Sequence, residues 1–361
     1  MKGLLKLTID LKNYGVTPHF ETAAKAQPEL VLARVTEQHR EQYRVVTTQG
    51  ERTVQVAGKF SHTVEDVTSF PAVGDWVLIT PTSTADEQSV IQVVLPRQSV
   101  LARAAASNGQ TGQLIAANLD TIFICMSLNA DFNVRRIERY LTMAWDSGAM
   151  PVIVLTKADL CDDLSDKLAA LAEVSMGVDV ITCSSATEAG FDELRTYIGR
   201  GKTIAFVGSS GVGKSTLINH LLGKTLLATK TIRADDDKGR HATTARQLLV
   251  LPTGGVVIDT PGMRELQLYT GDLSKTFEDI TALAQQCKFR NCSHQSEPGC
   301  AVQAAIAAGT LDVKRFKSYQ KLQAEMAYSG MNARQRENEK INRLFGSKAA
   351  MKVATRAFKN K

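Results

Sequence analysis

One stretch constrains this chain more than any other: Gly208-Ser209-Ser210-Gly211-Val212-Gly213-Lys214-Ser215, which fits G-x-x-x-x-G-K-[ST]. Ahead of it, Lys202 to Val207 is a short apolar run of strand character; behind it, Thr216 to Leu222 has helical spacing and stops at Gly223. Strand, glycine loop and helix in that order commit the surrounding chain to an α/β sheet, and they are the context a phosphate-binding loop needs. Glycines let backbone N–H groups turn inward around phosphate oxygens, and the new helix points its positive end at them. Lys214 supplies a mobile cation for β- and γ-phosphates, and Ser215 offers a hydroxyl ligand to Mg²⁺. The chain is expected to bind a nucleoside triphosphate.

The neighbouring sequence has the matching texture. Asp120–Met126 is a buried-type strand, and Val134–Trp145 has helical spacing with Val134, Ile137, Leu141 and Ala144 on one face. Pro151–Leu155 and Val178–Thr182 read as further strands, with helices near 163–175 and 191–198. Val256–Gly262 is an apolar strand ending in D-T-P-G, where Asp259 can hold Mg²⁺, directly or through water, and the N–H of Gly262 can sense a γ-phosphate. Between phosphate loop and D-T-P-G, Thr229–Ala245 is polar, with Gly239–Thr244 near its end. That suits a switch segment, with Thr243 or Thr244 as the hydroxyl ligand to Mg²⁺. Met263 stands where many such enzymes place a water-orienting glutamine, so His241 in the switch segment is the candidate water positioner or base; the alternative is a solvated loop histidine.

Base choice is expected to sit in Thr156-Lys157-Ala158-Asp159, which resembles the N-K-x-D element. Its aspartate accepts from guanine N1 and N2, a donor pair that adenine lacks. The Lys157 stem can cover the base, and Ser184-Ser185-Ala186 resembles the element that backs the guanine oxygen. Thr156 replaces the usual asparagine. Both guanine elements precede the phosphate loop, whereas in ordinary GTPases they follow it, so the order is circularly permuted.

On either side the composition changes. Residues 1–28 give no clear pattern and read as a loosely ordered arm. Leu30–Val35, Tyr43–Thr47, Thr53–Ala57, Pro71–Ile79 and Ser89–Val94 are short β-rich runs that fit a five-stranded barrel of the OB type, either an RNA-binding module or a plain packing module. Val100–Ala117 is Gly/Ser/Ala/Gln-rich and reads as a linker or surface loop. Cys287-x4-Cys292-x-His294-x5-Cys300 gathers three of the six cysteines with one histidine. That set suits a closed structural Zn²⁺ site in a reducing compartment, the alternative being a disulfide or chance clustering. From Met331 to Lys361, nine Lys/Arg oppose Glu337 and Glu339, a net of +7 on a chain of net +6, which suggests a polyanionic partner. The other reading of this tail is a solvated helix. No apolar run is long enough to span a membrane and Met1–Lys6 does not open a signal peptide, so a cytoplasmic protein is expected.

Taken together, the permuted motifs, the OB-like N-terminal part and the cysteine–histidine spacing resemble the ribosome small-subunit-dependent GTPase A (RsgA/YjeQ) family over roughly residues 30–330. The resemblance implies a multidomain α/β protein: an arm (1–28), an OB-fold RNA-binding domain (29–98), a linker (99–118), a circularly permuted GTPase domain (119–272), a helical zinc-binding domain (273–330) and a basic tail (331–361). It implies a GTPase that binds the 30S subunit and 16S rRNA, assists late maturation, is activated by the subunit, and works as a monomer with one structural Zn²⁺ and Mg²⁺ with GTP. Carried over by residue, guanine contacts fall on Thr156 to Asp159 and phosphate contacts on Gly208 to Thr216, Zn²⁺ ligation on Cys287, Cys292, His294 and Cys300, and the hydrolytic role on His241. Two other classes fit parts of the sequence: a metabolic phosphotransferase, against which Asp159 argues, and a nucleic-acid chaperone with a vestigial GTPase.

Overall fold

The computed structural model describes residues 8–39, 42–58, 70–82, 88–104, 112–227, 246–260, 268, 271–329, 335 and 338. Strands Val31–Gln38 (β1), Tyr43–Thr47 (β2), Gly50–Val56 (β3), Trp76–Ile79 (β4) and Val90–Val94 (β5) close on themselves in the order β1-β2-β3-β5-β4-β1, with only β3 and β5 parallel. This is the OB-type barrel expected. Ala33 and Val35 of β1 point into it beside Val45, Val54, Val77 and Ile91. The alternate residues are buried too, because the N-terminal residues cover the outer face. A 3₁₀ turn at Leu11–Tyr14 and helix Pro18–Lys25 (α1) place Leu11 and Phe20 against Trp76, Leu78 and Val46. Phe20 stacks on Trp76 at 5.6 Å. The loose arm is therefore corrected from Ile9 onward: Pro18 pre-sets the first helical turn, and burial of Phe20 contributes about 1.5–3 kcal/mol.

Residues 100–104 and 112–117 also differ from the linker expected, residues 105–111 lying outside the described ones. Val100–Ala104 (β6) and Gly112–Ala117 (β7) pair antiparallel. Leu101, Ile115 and Ala116 are buried in the main core, β6 packing against helix Val134–Ser147 (α2). β7 lies close against the turn that precedes β4: at Gly74 a Cβ would stand 2.2 Å from the Ala117 carbonyl, and φ is +95°.

The remaining strands are Thr121–Ser127 (β8), Met150–Thr156 (β9), Asp179–Thr182 (β10), Thr203–Val207 (β11), Gln247–Val250 (β12) and Val256–Asp259 (β13). Their order is β10-β9-β8-β11-β13-β12, parallel except for β12. β8 is buried throughout because both faces are covered. Ile122, Ile124 and Met126 face a core shared with α2, whereas Phe123 and Cys125 face one shared with Phe191–Arg195 (α4) and Lys214–Leu222 (α5). Helix Leu164–Ala172 (α3) follows β9. β12, which the sequence reading did not anticipate, is bridged to β1 at Glu37 and Gln247, so barrel and nucleotide-type sheet form one eleven-stranded sheet.

One buried arginine bolts these parts together. Arg34 of β1, fully buried, donates to Gly74 O (3.2 Å), Thr203 Oγ1 (2.9 Å) and Tyr14 O, and lies 5.3 Å over the Trp76 ring. Burial pulls its pKa down to about 10, against the opposing charges of Asp120 and Asp75. Removal of the guanidinium would orphan acceptors on the arm, the barrel and β11 at once.

Beyond β13, helices Glu278–Gln285 (α6), Ala301–Ala307 (α7) and Val313–Ser329 (α8) pack on α2 through Phe277, Ile280, Val302 and Phe316. The same seam carries charge. Arg315 reaches Glu138 (2.9 Å) and Asp279 (2.7 Å), and Arg135 reaches Asp312 (2.6 Å). Burial disfavours the Arg315 charge, but Asp279 and Glu138 outweigh it and hold its pKa above the ordinary value. Among the described residues no helix is long and apolar enough to cross a membrane.

Candidate functional site

The loop from Gly208 to Gly213 joins β11 to α5, and three of its glycines have φ values closed to side-chain-bearing residues: +144° at Gly208, +81° at Gly211 and +102° at Gly213. At Gly208 the constraint is double, since a Cβ would lie 2.4 Å from the Cys125 carbonyl in the adjoining strand. Lys214 Nζ donates to the Gly208 and Ser209 carbonyls, both at 2.6 Å, so the cation is held over the loop by the loop's own backbone. Burial pushes the Lys214 pKa down, and the nearby Cys125 and Asp259 push it back up. Ser215 and Thr216 follow in the first turn of α5.

Asp259 ends β13 on the same side. Its neighbour Thr260 is buried and donates Oγ1 to Phe206 O at 2.6 Å, which locks β13 to β11 just below the loop. Burial raises the Asp259 pKa, with Lys214 and a bond from the Thr260 backbone acting against it. A half-desolvated carboxylate with a serine hydroxyl at the adjacent helix start is an all-oxygen donor set, which suits a hard divalent cation bound together with phosphate. His241, Thr243, Thr244 and Gly262 lie outside the described residues.

The guanine-type residues come to this loop from the far side of β8. Thr156, buried at the end of β9, donates Oγ1 to Val212 O at 2.6 Å, and Lys157 Nζ donates to Gly211 O at 2.8 Å. A hydroxyl thus makes the tie between base element and phosphate loop. Lys157 takes φ +60° and starts a 3₁₀ turn over Ala158–Leu160. Asp159 is exposed, and its Oδ1 accepts from Ser184 Oγ at 2.5 Å. Ser184 Oγ accepts in turn from the N–H groups of Ala186 (3.1 Å) and Thr187 (3.3 Å). Ser185 and Ala186 are exposed beside it. One carboxylate with a free edge, oriented by a serine that the next loop holds, can accept two parallel N–H groups from a planar base.

Two residues that the sequence reading passed over meet the loop from α2. Arg136 Nη1 donates to Ser209 Oγ at 2.9 Å and to Asp131 Oδ2 at 2.9 Å. The Tyr140 hydroxyl also bonds to Ser209; burial dominates its pKa and raises it. The pair is spaced i, i+4 on the face next to the apolar one, a signal present in the sequence but indistinguishable there from a solvated face.

The cysteine–histidine set closes into a cluster. The ligand atoms of Cys287, Cys292, His294 and Cys300 all lie within 4.8 Å of one another. Cys287 and Cys300 sulfurs are 3.9 Å apart, and His294 Nδ1 is 3.6 and 3.5 Å from them. A tetrahedron with Zn–S of about 2.3 Å and Zn–N of about 2.0–2.1 Å has edges of about 3.8 Å and 3.5 Å, so the residues fit Zn²⁺. They could hold it without an open position. His294 adopts φ +58° and Gly299 φ +77° to turn the loop inward, while Gln303 Nε2 donates to His294 O at 2.6 Å.

The chain is similar to known proteins over most of its length. A family model described as RsgA GTPase matches residues 94–269. The small ribosomal subunit biogenesis GTPase RsgA 2 of Lactiplantibacillus plantarum is 61% identical over 346 residues, covering 96% of this chain and 97% of that protein. RsgA 1 of Listeria innocua is 44% identical over 88% of this chain and 90% of its own. The crystal structure of YjeQ from Thermotoga maritima superposes with a TM-score of 0.61 at 28% identity, covering 84% of this chain and all of that one. YloQ, a circularly permuted GTPase, shares the fold with a TM-score of 0.58 at 24% identity, covering 84% and 97%. The permuted loop order, the barrel and this identity across nearly the whole chain make the protein a member of the RsgA GTPase family, and so an enzyme that hydrolyses GTP.

Proposed function

We propose that this GTPase binds the 30S ribosomal subunit through 16S rRNA, assists its late maturation, and is activated by the subunit it binds. The observation that carries the reading is the single sheet shared by nucleotide loop and barrel: β12 follows the Thr229–Ala245 stretch directly and is bridged to β1, with Gln247 Nε2 donating to Glu37 Oε1 at 2.8 Å. A rearrangement around the γ-phosphate therefore has a short rigid path to an OB-type surface, a fold that often binds nucleic acid. The relatives' own names, small ribosomal subunit biogenesis GTPases, supply the partner.

In this reading Asp159 and Lys157 take guanine, with Thr156, Ala158 and Ser184–Ala186 shaping its pocket. Gly208–Thr216 cradles the phosphates with Lys214 on the β- and γ-oxygens. Ser215, Thr243 and Asp259 hold Mg²⁺, which neutralises charge that develops on the phosphate oxygens. Gly262 senses the γ-phosphate and His241 positions the attacking water. Cys287, Cys292, His294 and Cys300 carry one structural Zn²⁺, and the protein acts as a cytoplasmic monomer. GTP orders the switch residues and fixes barrel and zinc module in a geometry that fits the subunit; hydrolysis relaxes it. The test compares subunit affinity with a non-hydrolysable GTP analogue and with GDP. Tighter binding with the analogue is expected, and equal affinity would sink the switch.

A further inference from the structure

Glu325, on α8, sits where three parts of the molecule meet. Its Oε1 and Oε2 accept from Arg139 Nη1 (2.6 Å) and Nη2 (2.8 Å), a bidentate pair onto α2. The same Oε1 accepts from the backbone N–H of Leu268 at 3.0 Å. Leu268 is 1% exposed and lies a few residues beyond Asp259 and Thr260. Three positions before Arg139 on α2, Arg136 reaches the Ser209 hydroxyl of the phosphate loop, and Tyr140, the residue after Arg139, meets the same hydroxyl. One carboxylate of the C-terminal module thus grips both the helix that braces the phosphate loop and the chain that leaves the Asp259 strand.

We propose that Glu325 is a positioning residue for GTP hydrolysis: it holds α2, which braces the phosphate loop, against the main chain at Leu268. A bidentate arginine–carboxylate pair carries geometric as well as energetic specificity, and the Leu268 bond anchors it to main chain. Displacing α8 would loosen α2 and the Leu268 segment together, so whatever holds the C-terminal module is felt at the phosphates. The rest of the seam holds the module on through Glu138, Arg315 and Asp279 at its centre and the Arg135–Asp312 pair at its edge.

The experiment is basal GTP turnover by the full-length protein, measured without subunits, so that its failure leaves the proposed subunit function untouched. Glu325→Ala is expected to lower kcat about tenfold while KM for GTP changes less than about twofold, because misplacement near the reacting phosphate costs rate before it costs binding. The double variant Arg139→Glu with Glu325→Arg restores the ion pair but turns a donor toward the Leu268 N–H, and is expected to stay slow. It also reads the same quantity if Glu325→Ala does not fold. Asp312→Asn, which weakens the seam elsewhere, is expected to keep the parental rate. A Glu325→Ala protein with parental kcat and only a lower melting temperature, full recovery in the swapped pair, or an Asp312→Asn protein as slow as Glu325→Ala would overturn the proposal.

Discussion

Replacing Thr156 by valine removes one oxygen and keeps the shape of the side chain, and the structure sets what that oxygen is worth. Thr156 is 3% exposed, and its hydroxyl makes a 2.6 Å bond to Val212 O, the joint between the base element and the phosphate loop. A neutral hydrogen bond contributes about 0.5–1.5 kcal/mol net, and a buried carbonyl deprived of its donor costs about 1–3 kcal/mol. A penalty of about 1–3 kcal/mol on the joint corresponds to about 5- to 150-fold in affinity if the two halves must be re-aligned on binding. The loss should appear equally for GDP and GTP, since both span the joint, while kcat at saturating GTP changes less. Calorimetric titration of GDP into the magnesium-loaded protein measures it. Thr156→Asn, which keeps a donor within reach of Val212 O, should retain affinity within about threefold. A Thr156→Val protein that binds GDP within twofold of the parent would show that this hydroxyl does not hold the site together.

Other consequences can be checked in the same preparations. Asp159→Asn should shift preference from guanine toward xanthine nucleotides by about 10² or more, read by competition binding; unchanged preference would remove Asp159 from base recognition. Chelating Zn²⁺ should lower the melting temperature by about 10 °C or more, because α6–α8 share their core with α2; an unchanged melt would refute the ligand set. Burial raises the Asp259 pKa. A raised carboxylate pKa makes its charged form a destabilising feature above the unfolded value of about 3.9, relieved as pH falls. The magnesium-dependent part of GTP affinity should accordingly weaken on acidification at a higher pH than for an ordinary carboxylate, and Asp259→Asn should abolish that component.

The nucleotide loop, the permuted order, the five barrel strands and the cysteine–histidine cluster were legible because each is dictated locally: positive-φ glycines, alternating β-branched residues, ligand spacing. What escaped the sequence depends on distant partners. Residues 100–117 looked like a linker because their small residues signal flexibility in isolation, yet 100–104 and 112–117 pair as strands, with Leu101, Ile115 and Ala116 buried against partners distant in the chain. Arg34 reads as a polar interruption in an apolar run until Tyr14, Gly74 and Thr203 converge on it. The short β12 gave little periodic signal because it is four residues at an edge bridged to the barrel. Arg136, Arg139 and Glu325 carry i, i+3 spacing or none, and their meaning lies in Ser209 and Leu268, far away in the chain.

In the proposed function the phosphate loop works under the control of the particle that the flanking modules grip. GTP turnover by the full-length protein, measured with and without purified 30S subunits at fixed Mg²⁺, tests it most directly. A rise in kcat of at least about tenfold is expected, as when a binding partner completes a phosphoryl-transfer site, with loss of most of that rise in His241→Ala. Turnover that is the same with and without subunits would contradict it.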